Sequence, residues 1–410
     1  MDNKLEKYAK ALVKVGVNIQ KGQKLAIMSS VDTAYFARIV MKTAYENGAE
    51  NVMIIWNDEK SARIDYLNAP DSNFGIEYPY LKEQYKMLAE EKYNLISLVS
   101  ANPEILNGID PERITKNQKM HMQTRKPLSD TTMTSSVQWT LAAVPSVDWA
   151  KKVFPAAKSD EDALNQMWTA IYSAARIDEN DPIENWNKHV ANLQEKSKVL
   201  NNHRFKYLHY SNAKGTDLTI ELSDGHLWVA CGGTAKNGNN FVANMPTEEV
   251  YTAPYKTGTK GIVYSTKPLV YMGDVIDEFW IRFEAGRAVE FDAKVGKHLL
   301  EKLLTVSENS DYLGEVALVP FNSPISNSGI LWYNTLYDEN ASCHLALGRA
   351  YPTTHKDTDG LSETELVEKC GLNHSMTHND FMIGSPDLQI LGEKADGSTL
   401  VVFKDGNFAI

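Results

Sequence analysis

The chain has 410 residues with a formal net charge of −11, and 43% of its residues are hydrophobic. A single hydrophobic core rarely serves more than about 250–300 residues, so we expect two or more domains. The acidic balance argues against a broad nucleic-acid surface. A run of about 18 apolar residues, which would be needed to span a membrane, is absent.

The N-terminus and the cysteines bear on the cellular compartment. The first residues, MDNKLEKYAKALVKVG, form a charged amphipathic segment rather than a signal peptide. Cys231, Cys343 and Cys370 are too few and too scattered for a disulfide framework. We therefore expect a cytoplasmic protein in a reducing environment.

The first half of the chain alternates between helical and strand patterns. Apolar spacing predicts a helix over residues 5–13 and another that begins at Ser30 or Asp32 and ends at Asn47-Gly48. Continuous apolar runs predict strands at residues 24–28, 51–56, 93–99 and 139–144. This order is typical of an α/β domain with helices on a largely parallel sheet.

Two further helices are predicted over residues 162–176 and from Asp181 to about Leu200. The second of these is long and polar, and we place a domain boundary at its end. Residues 1–200 are then the N-terminal α/β domain, and residues 201–410 form the C-terminal domain.

The second half has a different sequence pattern, with short strand-like segments separated by turn residues. These predict strands at residues 205–211, 217–222, 226–230, 260–265, 269–273, 279–284 and 314–320. One helix is predicted over residues 293–304. We therefore expect an α+β domain rich in antiparallel strands.

Three acidic residues of the second half are candidates for a site. Glu248 and Glu249 are neighbours in the run NMPTEEVYTAP. Adjacent side chains of an extended chain face opposite sides, so only one of them points into a given site. Glu315 lies in the apolar run GEVALVP, where its charge requires compensation.

The run TLYDENASCHLALGRAY, residues 335–351, holds Glu339 and His344 five positions apart. Neither the helical nor the strand period places residues five apart on one face, so we expect a turn or a strand end that lets their side chains converge. A solvated acidic turn with a core histidine is the alternative interpretation. Farther on, the run HNDFMIG contains His378 and Asp380, which share one face if the segment is a strand.

These carboxylates and imidazoles suit a pair of divalent ions. Four acidic ligands carry about −4 against about +4 from two ions, so the site would be near neutral. A carboxylate-rich set with few histidines favours zinc, cobalt or manganese over a closed structural zinc site. Two such ions lower the pKa of a shared water and polarise a carbonyl group. Taken singly, each residue except Glu315 is more often a surface or core residue.

Four runs in this order, NMPTEEVYTAP, GEVALVP, DENASCHLALGRAYP and HNDFMIGSPD, resemble the thermophilic-type metallo-aminopeptidase family. The runs KYAKALVKVGVNIQKGQKLAI and AYENGAENVMIIW near the N-terminus also resemble it, so the likeness covers nearly the whole chain. The resemblance implies a two-metal site in the C-terminal domain. Its ligand positions match Glu249, Glu315, Glu339, His344, His378 and Asp380.

The resemblance also implies roles for individual residues and a function. Glu315 would bridge the metals, and the phenol of Tyr351 would donate to the developing oxyanion. A metal-bound water would hydrolyse the N-terminal peptide bond of peptides with a free N-terminus, and Glu315 or Glu248 would transfer the proton. The family implies a homodimer whose N-terminal domains help to enclose the active site.

Two other functions remain open at this point. The chain could be another two-metal amidohydrolase, such as a dipeptidase, or a non-catalytic scaffold or binding protein stabilised by metal. Secondary candidates are His374, which could orient a metal ligand, and Arg349. For Arg349 a ligand carboxylate, a substrate and a structural ion pair are all open.

Overall fold

The computed structural model describes residues 2–100, 102–358 and 360–410. Its contacts divide the chain into two compact units. The first unit runs to Lys188 and takes in Gly232–Pro246, and the second consists of His189–Cys231 and Thr247–Ile410. The boundary that the sequence analysis placed after residue 200 stays a prediction.

The helices of the described residues are α1 (Asp2–Ala11), α2 (Ala34–Glu46), α3 (Glu59–Asn68), α4 (Pro79–Glu90), α5 (Pro111–Met133), α6 (Val147–Val153), α7 (Asp160–Ala174), α8 (Pro182–His203), α9 (Lys297–Thr305), α10 (Pro324–Asn327), α11 (Thr335–Asp338) and α12 (Glu363–Cys370). Among these helices, none combines the length and the apolar composition that crossing a membrane requires.

The strands of the described residues are β1 (Lys24–Ser30), β2 (Asn51–Asn57), β3 (Asn94–Val99), β4 (Trp139–Ala143), β5 (Tyr207–Ser211), β6 (Asp217–Leu222), β7 (Val229–Ala230), β8 (Gly233–Thr234), β9 (Asn240–Phe241), β10 (Asn244–Met245), β11 (Val250–Thr252), β12 (Pro254–Tyr264), β13 (Leu269–Tyr271), β14 (Asp274–Glu284), β15 (Arg287–Val295), β16 (Leu313–Leu318), β17 (His344–Gly348), β18 (His378–Met382), β19 (Gln389–Glu393), β20 (Thr399–Lys404) and β21 (Asn407–Phe408).

The first unit is built on a parallel sheet with the strand order β10-β4-β3-β1-β2. Helix α2 buries Phe36, Ala37 and Val40, and α4 buries Tyr85 and Leu88. The predicted α/β fold of the N-terminal part is therefore confirmed. The sequence analysis did not include β10, which comes from the second half of the chain and continues the sheet beside β4.

The second unit contains two antiparallel sheets, which confirms the predicted α+β class. The smaller sheet has the order β18-β17-β16-β11-β7. The larger runs β13-β14-β12-β6-β5-β19-β20-β21, with β15 paired to β14. Leu318, Leu345 and Phe381 of the smaller sheet belong to the same buried core as Phe279 and Phe283 of the larger one. The ring centroids of Phe279 and Phe381 lie 5.8 Å apart, so apolar contact holds these strands together.

The helix predicted over residues 293–304 begins later than its apolar pattern suggested. Ala293 and Val295 belong to β15, where they pair with Phe279 and Asp277 of β14. Gly296 then adopts a left-handed conformation with φ of 72°, and α9 starts at the next residue. The prediction of helix at residues 293–295 was wrong, because pairing with β14 prevailed over local periodicity.

Candidate metal centre

The smaller sheet of the second unit carries the predicted site residues on neighbouring strands. Glu315 in β16 pairs with Ala346 in β17, and Ala346 pairs on its other side with Asp380 in β18. Directly paired residues of antiparallel strands share a face, so both carboxylates flank the small side chain of Ala346. His344 and His378 occur on β17 and β18.

Two glycines allow the strands to take this arrangement. The register of β16 against β17 shifts between Leu313 and Glu315, around Gly314. A Cβ atom on Gly314 would overlap the carbonyl oxygen of Gly348. Gly348 itself has φ of 104°, and a Cβ atom there would overlap the carbonyl oxygen of Thr377. A bulge with an extra residue turns the strand locally, and here it brings Glu315 onto the face of the site.

Two groups of ligand atoms meet at Glu315. Donor atoms of Glu249, Glu315 and His344 lie within 4.8 Å of one another, and so do those of Glu315, His378 and Asp380. His344 Nε2 is 3.3 Å from Glu249 Oε2 and 3.5 Å from Glu315 Oε1. His378 Nε2 is 3.8 Å from Glu315 Oε2 and 3.3 Å from Asp380 Oδ1. Each oxygen of Glu315 therefore faces a different imidazole.

Glu339 contributes a further carboxylate from the 3-10 turn Glu339–Ala341, which follows α11 and comes before β17. Its side chain is half-buried and forms a hydrogen bond with Asp380. Burial, and then the charges of Asp380 and Glu249, raise the pKa of Glu339 well above its usual value. Glu339 thus joins the cluster without belonging to either group of three ligands.

Both histidines direct one ring nitrogen to the backbone and the other to carboxylates. His378 Nδ1 lies 2.7 Å from the carbonyl oxygen of Arg349, and His344 Nδ1 lies 3.2 Å from that of Ser342. An Nδ1–H that donates to a carbonyl leaves Nε2 with a lone pair. A lone pair that faces carboxylate oxygens requires a proton or a cation between them. This is the usual arrangement of metal-binding histidines.

The pKa shifts of the carboxylates and histidines in the cluster also indicate that positive charge is needed there. Burial chiefly raises the pKa of Glu315, and the hydrogen bond with His344 opposes this shift. Burial lowers the pKa of His378, but the charge of Asp380 and the hydrogen bond with it outweigh burial and raise that pKa to about 10. Protons thus compensate the carboxylates when no metal is bound.

Lysine and arginine do not supply the compensating charge. In the part of the chain that the structure describes, Glu249, Glu315 and Asp380 form ion pairs with histidines but not with lysine or arginine. Buried carboxylates without such partners are costly unless they bind metal. The donor set, the histidine orientations and the pairing of these carboxylates with histidines alone among the described residues all fit divalent ions.

Two tyrosines line the cluster. The ring of Tyr351 lies 5.0 Å from the ring of His378 and 6.2 Å from that of Tyr251. Burial, followed by the charges of Glu315 and Asp380, raises the pKa of Tyr351 well above its usual value, so its phenol keeps its proton. The sequence analysis did not single out Tyr251, although it follows Glu249 by two positions and thus shares a face with it in an extended segment.

Other polar residues of the candidate stretches have different partners. Glu248 Oε2 lies 3.7 Å from His189 Nε2. Asp338 accepts hydrogen bonds from the backbone of Trp332 and Asn334 at 2.8 and 3.0 Å, so it orders the preceding loop. His374, a candidate for orienting a metal ligand, has its Nε2 3.2 Å from Glu363.

Arg349 also lies near Glu363, which is exposed, rather than near the buried carboxylates. Its Nη2 atom is 4.0 Å from Glu363, and both side chains are largely exposed. A structural ion pair is therefore the interaction that the geometry assigns to Arg349. Its backbone carbonyl, which accepts from His378, has the orienting function that was expected of His374.

A set of carboxylates and imidazoles on an antiparallel sheet defines a candidate metal-binding protein, and comparison with known proteins is more specific. The family of thermophilic metalloproteases (M29) matches residues 1–408. Aminopeptidase AmpS of Bacillus subtilis (strain 168) is 46% identical over 407 residues, which cover 99% of this chain and 98% of that protein. Aminopeptidase 2 of Geobacillus stearothermophilus is 44% identical over 409 residues, with coverage of 100% and 98%.

The structure of wild-type AmpT from Thermus thermophilus has the same fold. It matches with a TM-score of 0.93 at 33% identity, and the match covers 100% of both chains. The chain belongs to the thermophilic metalloprotease family M29. It is a metal-dependent aminopeptidase, a hydrolase that acts on peptides, and the prediction from the ordered motifs is confirmed.

Proposed function

We propose that this aminopeptidase releases the N-terminal residue of peptides at a site for two divalent ions. Glu249, Glu315 and His344 would hold one ion, and Glu315, His378 and Asp380 would hold the other, with Glu339 beside them. The observation that carries this proposal is the pair of Glu315 oxygens, one directed to each imidazole. Zinc, cobalt and manganese all suit the donor set.

When bound, the ions supply Lewis acidity for the substrate carbonyl and lower the pKa of water. The residues of the chain supply the remaining functions. Tyr351 keeps its phenolic proton among carboxylates, and this supports a role as hydrogen-bond donor to the oxygen that becomes negative.

Proton transfer to the leaving amine belongs to a carboxylate of the cluster. The sequence left this role open between Glu315 and Glu248. Glu248 faces His189, whereas both oxygens of Glu315 face imidazoles and would hold the ions. Loss of hydrolysis with unchanged metal binding in Glu248→Gln would assign the transfer to Glu248.

The test is hydrolysis of matched peptides by the metal-loaded protein, with products identified by mass spectrometry. Each peptide is supplied with a free and with an N-acetylated N-terminus, and as a series of increasing length. We expect release of one N-terminal residue from the free forms alone. Cleavage of acetylated peptides would contradict an aminopeptidase, and activity confined to dipeptides would favour the dipeptidase alternative.

We further propose a homodimer in the cytoplasm, in which the N-terminal domains help to enclose the active site. The cytoplasmic assignment is supported by Cys343 and Cys370, which are buried and form no disulfide in the part of the chain that the structure describes. The dimer rests on the family resemblance. Sedimentation equilibrium of the purified protein tests it, and a monomer at micromolar concentration would contradict it.

A further inference from the structure

We propose that Tyr251 is a positioning residue, which holds the aromatic ring of Tyr351 in place beside the carboxylate cluster. This inference rests on the proposed function in one respect, the role of the Tyr351 phenol as a donor. It concerns a residue that sequence motifs did not single out. Tyr251 acts through Tyr351 and is not itself a catalytic residue.

Aromatic contacts fix the ring of Tyr351 from two sides. Tyr251 meets it edge to face, with a centroid distance of 6.2 Å and an interplanar angle of 68°. His378 packs against it with a centroid distance of 5.0 Å and an angle of 57°. The edge-to-face geometry is the preferred one for aromatic pairs. Removing either neighbour would leave space for the Tyr351 ring to turn.

The sheet directs Tyr251 to this position. Tyr251 pairs across β11 and β16 with Ala317, and Ala317 pairs in turn with His344. These three strands thus place Tyr251, Ala317 and His344 in one row on the face that also carries Glu315. The small side chain of Ala317 leaves space on this face for a large ring.

The hydroxyl end of Tyr251 reaches the segment that follows Tyr351. It forms a hydrogen bond with the side chain of Thr353, within the 3-10 turn Pro352–Thr354. The next residue, Thr354, donates to the carbonyl oxygen of Tyr351 from its backbone nitrogen at 3.1 Å and from its hydroxyl at 2.6 Å. Tyr251 therefore contacts both the ring of Tyr351 and the turn that anchors its backbone.

A donor that stabilises a developing negative charge must be held close to its required position, because preorganisation provides most of its benefit. Loss of the Tyr251 ring should therefore reduce kcat and leave KM largely unchanged. We expect Tyr251→Leu to lower kcat by about tenfold. Tyr251→Phe, which keeps the ring and loses the bond to Thr353, should lower it by about two- to threefold.

A double-mutant cycle separates positioning from a general structural effect. Tyr251→Leu is measured alone and in a Tyr351→Phe background, with metal content determined for each protein. If Tyr251 acts through Tyr351, the loss of about tenfold should shrink to less than about twofold in the second background. Equal losses in both backgrounds would overturn the proposal. Tyr207→Leu, a change of a tyrosine on the larger sheet, is the matched control and should not affect kcat.

A second measurement does not depend on activity. Tyrosine labelled with carbon-13 at the ring Cζ reports on each of the 19 tyrosines, and the resonance that Tyr351→Phe removes is that of Tyr351. It should shift and broaden in Tyr251→Leu and stay in place in Tyr207→Leu. An unchanged Tyr351 resonance in Tyr251→Leu overturns the positioning role. If Tyr251→Leu shifts the Tyr351 resonance but the wild-type protein hydrolyses no peptide, only the proposed function is overturned.

Discussion

Glu315 presents its two oxygens to two different histidines, so a change at this single residue affects both halves of the cluster. Glu315→Gln keeps the shape of the side chain and removes its charge. We expect peptide hydrolysis to fall by more than about 100-fold and divalent-ion binding to weaken, while the circular dichroism spectrum stays the same. Isothermal titration with cobalt and peptide assays measure both effects, and full activity would contradict the bridging assignment.

The adjacent residues Glu248 and Glu249 provide a matched comparison. Glu249 lies 3.3 Å from His344, whereas Glu248 faces His189. Glu249→Gln should weaken binding of divalent ions by about 10–100-fold, and Glu248→Gln should leave it close to that of the wild type. Metal titration of the two variants checks this prediction. The reverse order of affinities would show that the assignment of the pair is wrong.

His226 gives the second unit a dependence of stability on pH. It is 2% exposed, and its Nδ1 lies 2.6 Å from the carbonyl oxygen of Ser223. Burial lowers its pKa from 6.5 to about 4. The unfolded chain therefore binds a proton that the folded chain does not, so this contribution is complete above the unfolded pKa and is lost as pH falls towards the folded one. Its full size is about 3 kcal/mol.

The variant His226→Gln isolates this contribution. Urea unfolding is measured at neutral pH and at about pH 4 for the wild type and for the variant. The fall in unfolding free energy between the two pH values should be smaller in the variant by up to about 3 kcal/mol. Equal falls in both proteins would contradict the prediction.

At the scale of single residues, the sequence predicted those candidate ligands that residue chemistry and the alternation of side chains along a strand identify. The period of two in a strand placed His378 and Asp380 on one face, and an isolated charge among apolar neighbours drew attention to Glu315. The orientation of Glu248 against Glu249 depends on the register of a strand of three residues, which local pattern does not determine. Tyr251 was missed because a tyrosine in an apolar strand is common and carries no distinctive signal.

Among the structural elements, the β16–β17 pair depends on a bulge at Gly314. A methyl group there would overlap the backbone of Gly348. Gly314→Ala should therefore shift Glu315, cost about 1–3 kcal/mol of stability and weaken binding of divalent ions. Thermal melting and metal titration measure these effects. Gly233→Ala, where a Cβ atom would meet its nearest neighbour, the Phe241 ring, at an ordinary 3.7 Å, is the control and should retain metal binding.

In the first half of the chain, strands with continuous apolar runs were predicted well and helices without an apolar stripe were not, whereas in the second half β15, β19 and β20 were not predicted. Strands β1 to β4 are continuous apolar runs, and each was predicted close to its bounds. Helix α3 was missed, and it has no buried residue among those described. Helix α5 is 23 residues long and contains Pro127, yet it buries only Ile114, Thr124 and Leu128 in the described chain. Such helices present no apolar stripe for periodicity to detect.

For the whole molecule, divalent ions should link metal binding to stability. Four carboxylates repel one another in the cluster, and ions that bind only the folded state stabilise it by about 2.7 kcal/mol at 100 times their dissociation constant. Chelation should lower Tm by about 5–10 °C. Differential scanning calorimetry with EDTA and after readdition of zinc measures this shift. An unchanged Tm would argue against binding at this cluster.

The order of motifs along the chain was sufficient to predict the family and the enzyme class. Sequence patterns did not predict that Gly232–Pro246 belongs to the first unit. Strand β10 has two residues, and its partner β4 lies about a hundred positions earlier in the chain. A pairing between such distant segments leaves no local periodicity, so it depends on tertiary structure alone.

Ala346 lies between Glu315 and Asp380 in the ladder and is fully buried. Because its methyl group lies between the two carboxylates, we expect the size of this side chain to affect the spacing of Glu315 and Asp380. Substitution by glycine or valine would alter the preference among cations without touching a donor atom. Cation selectivity is thus open to engineering at a residue that no ligand motif would identify.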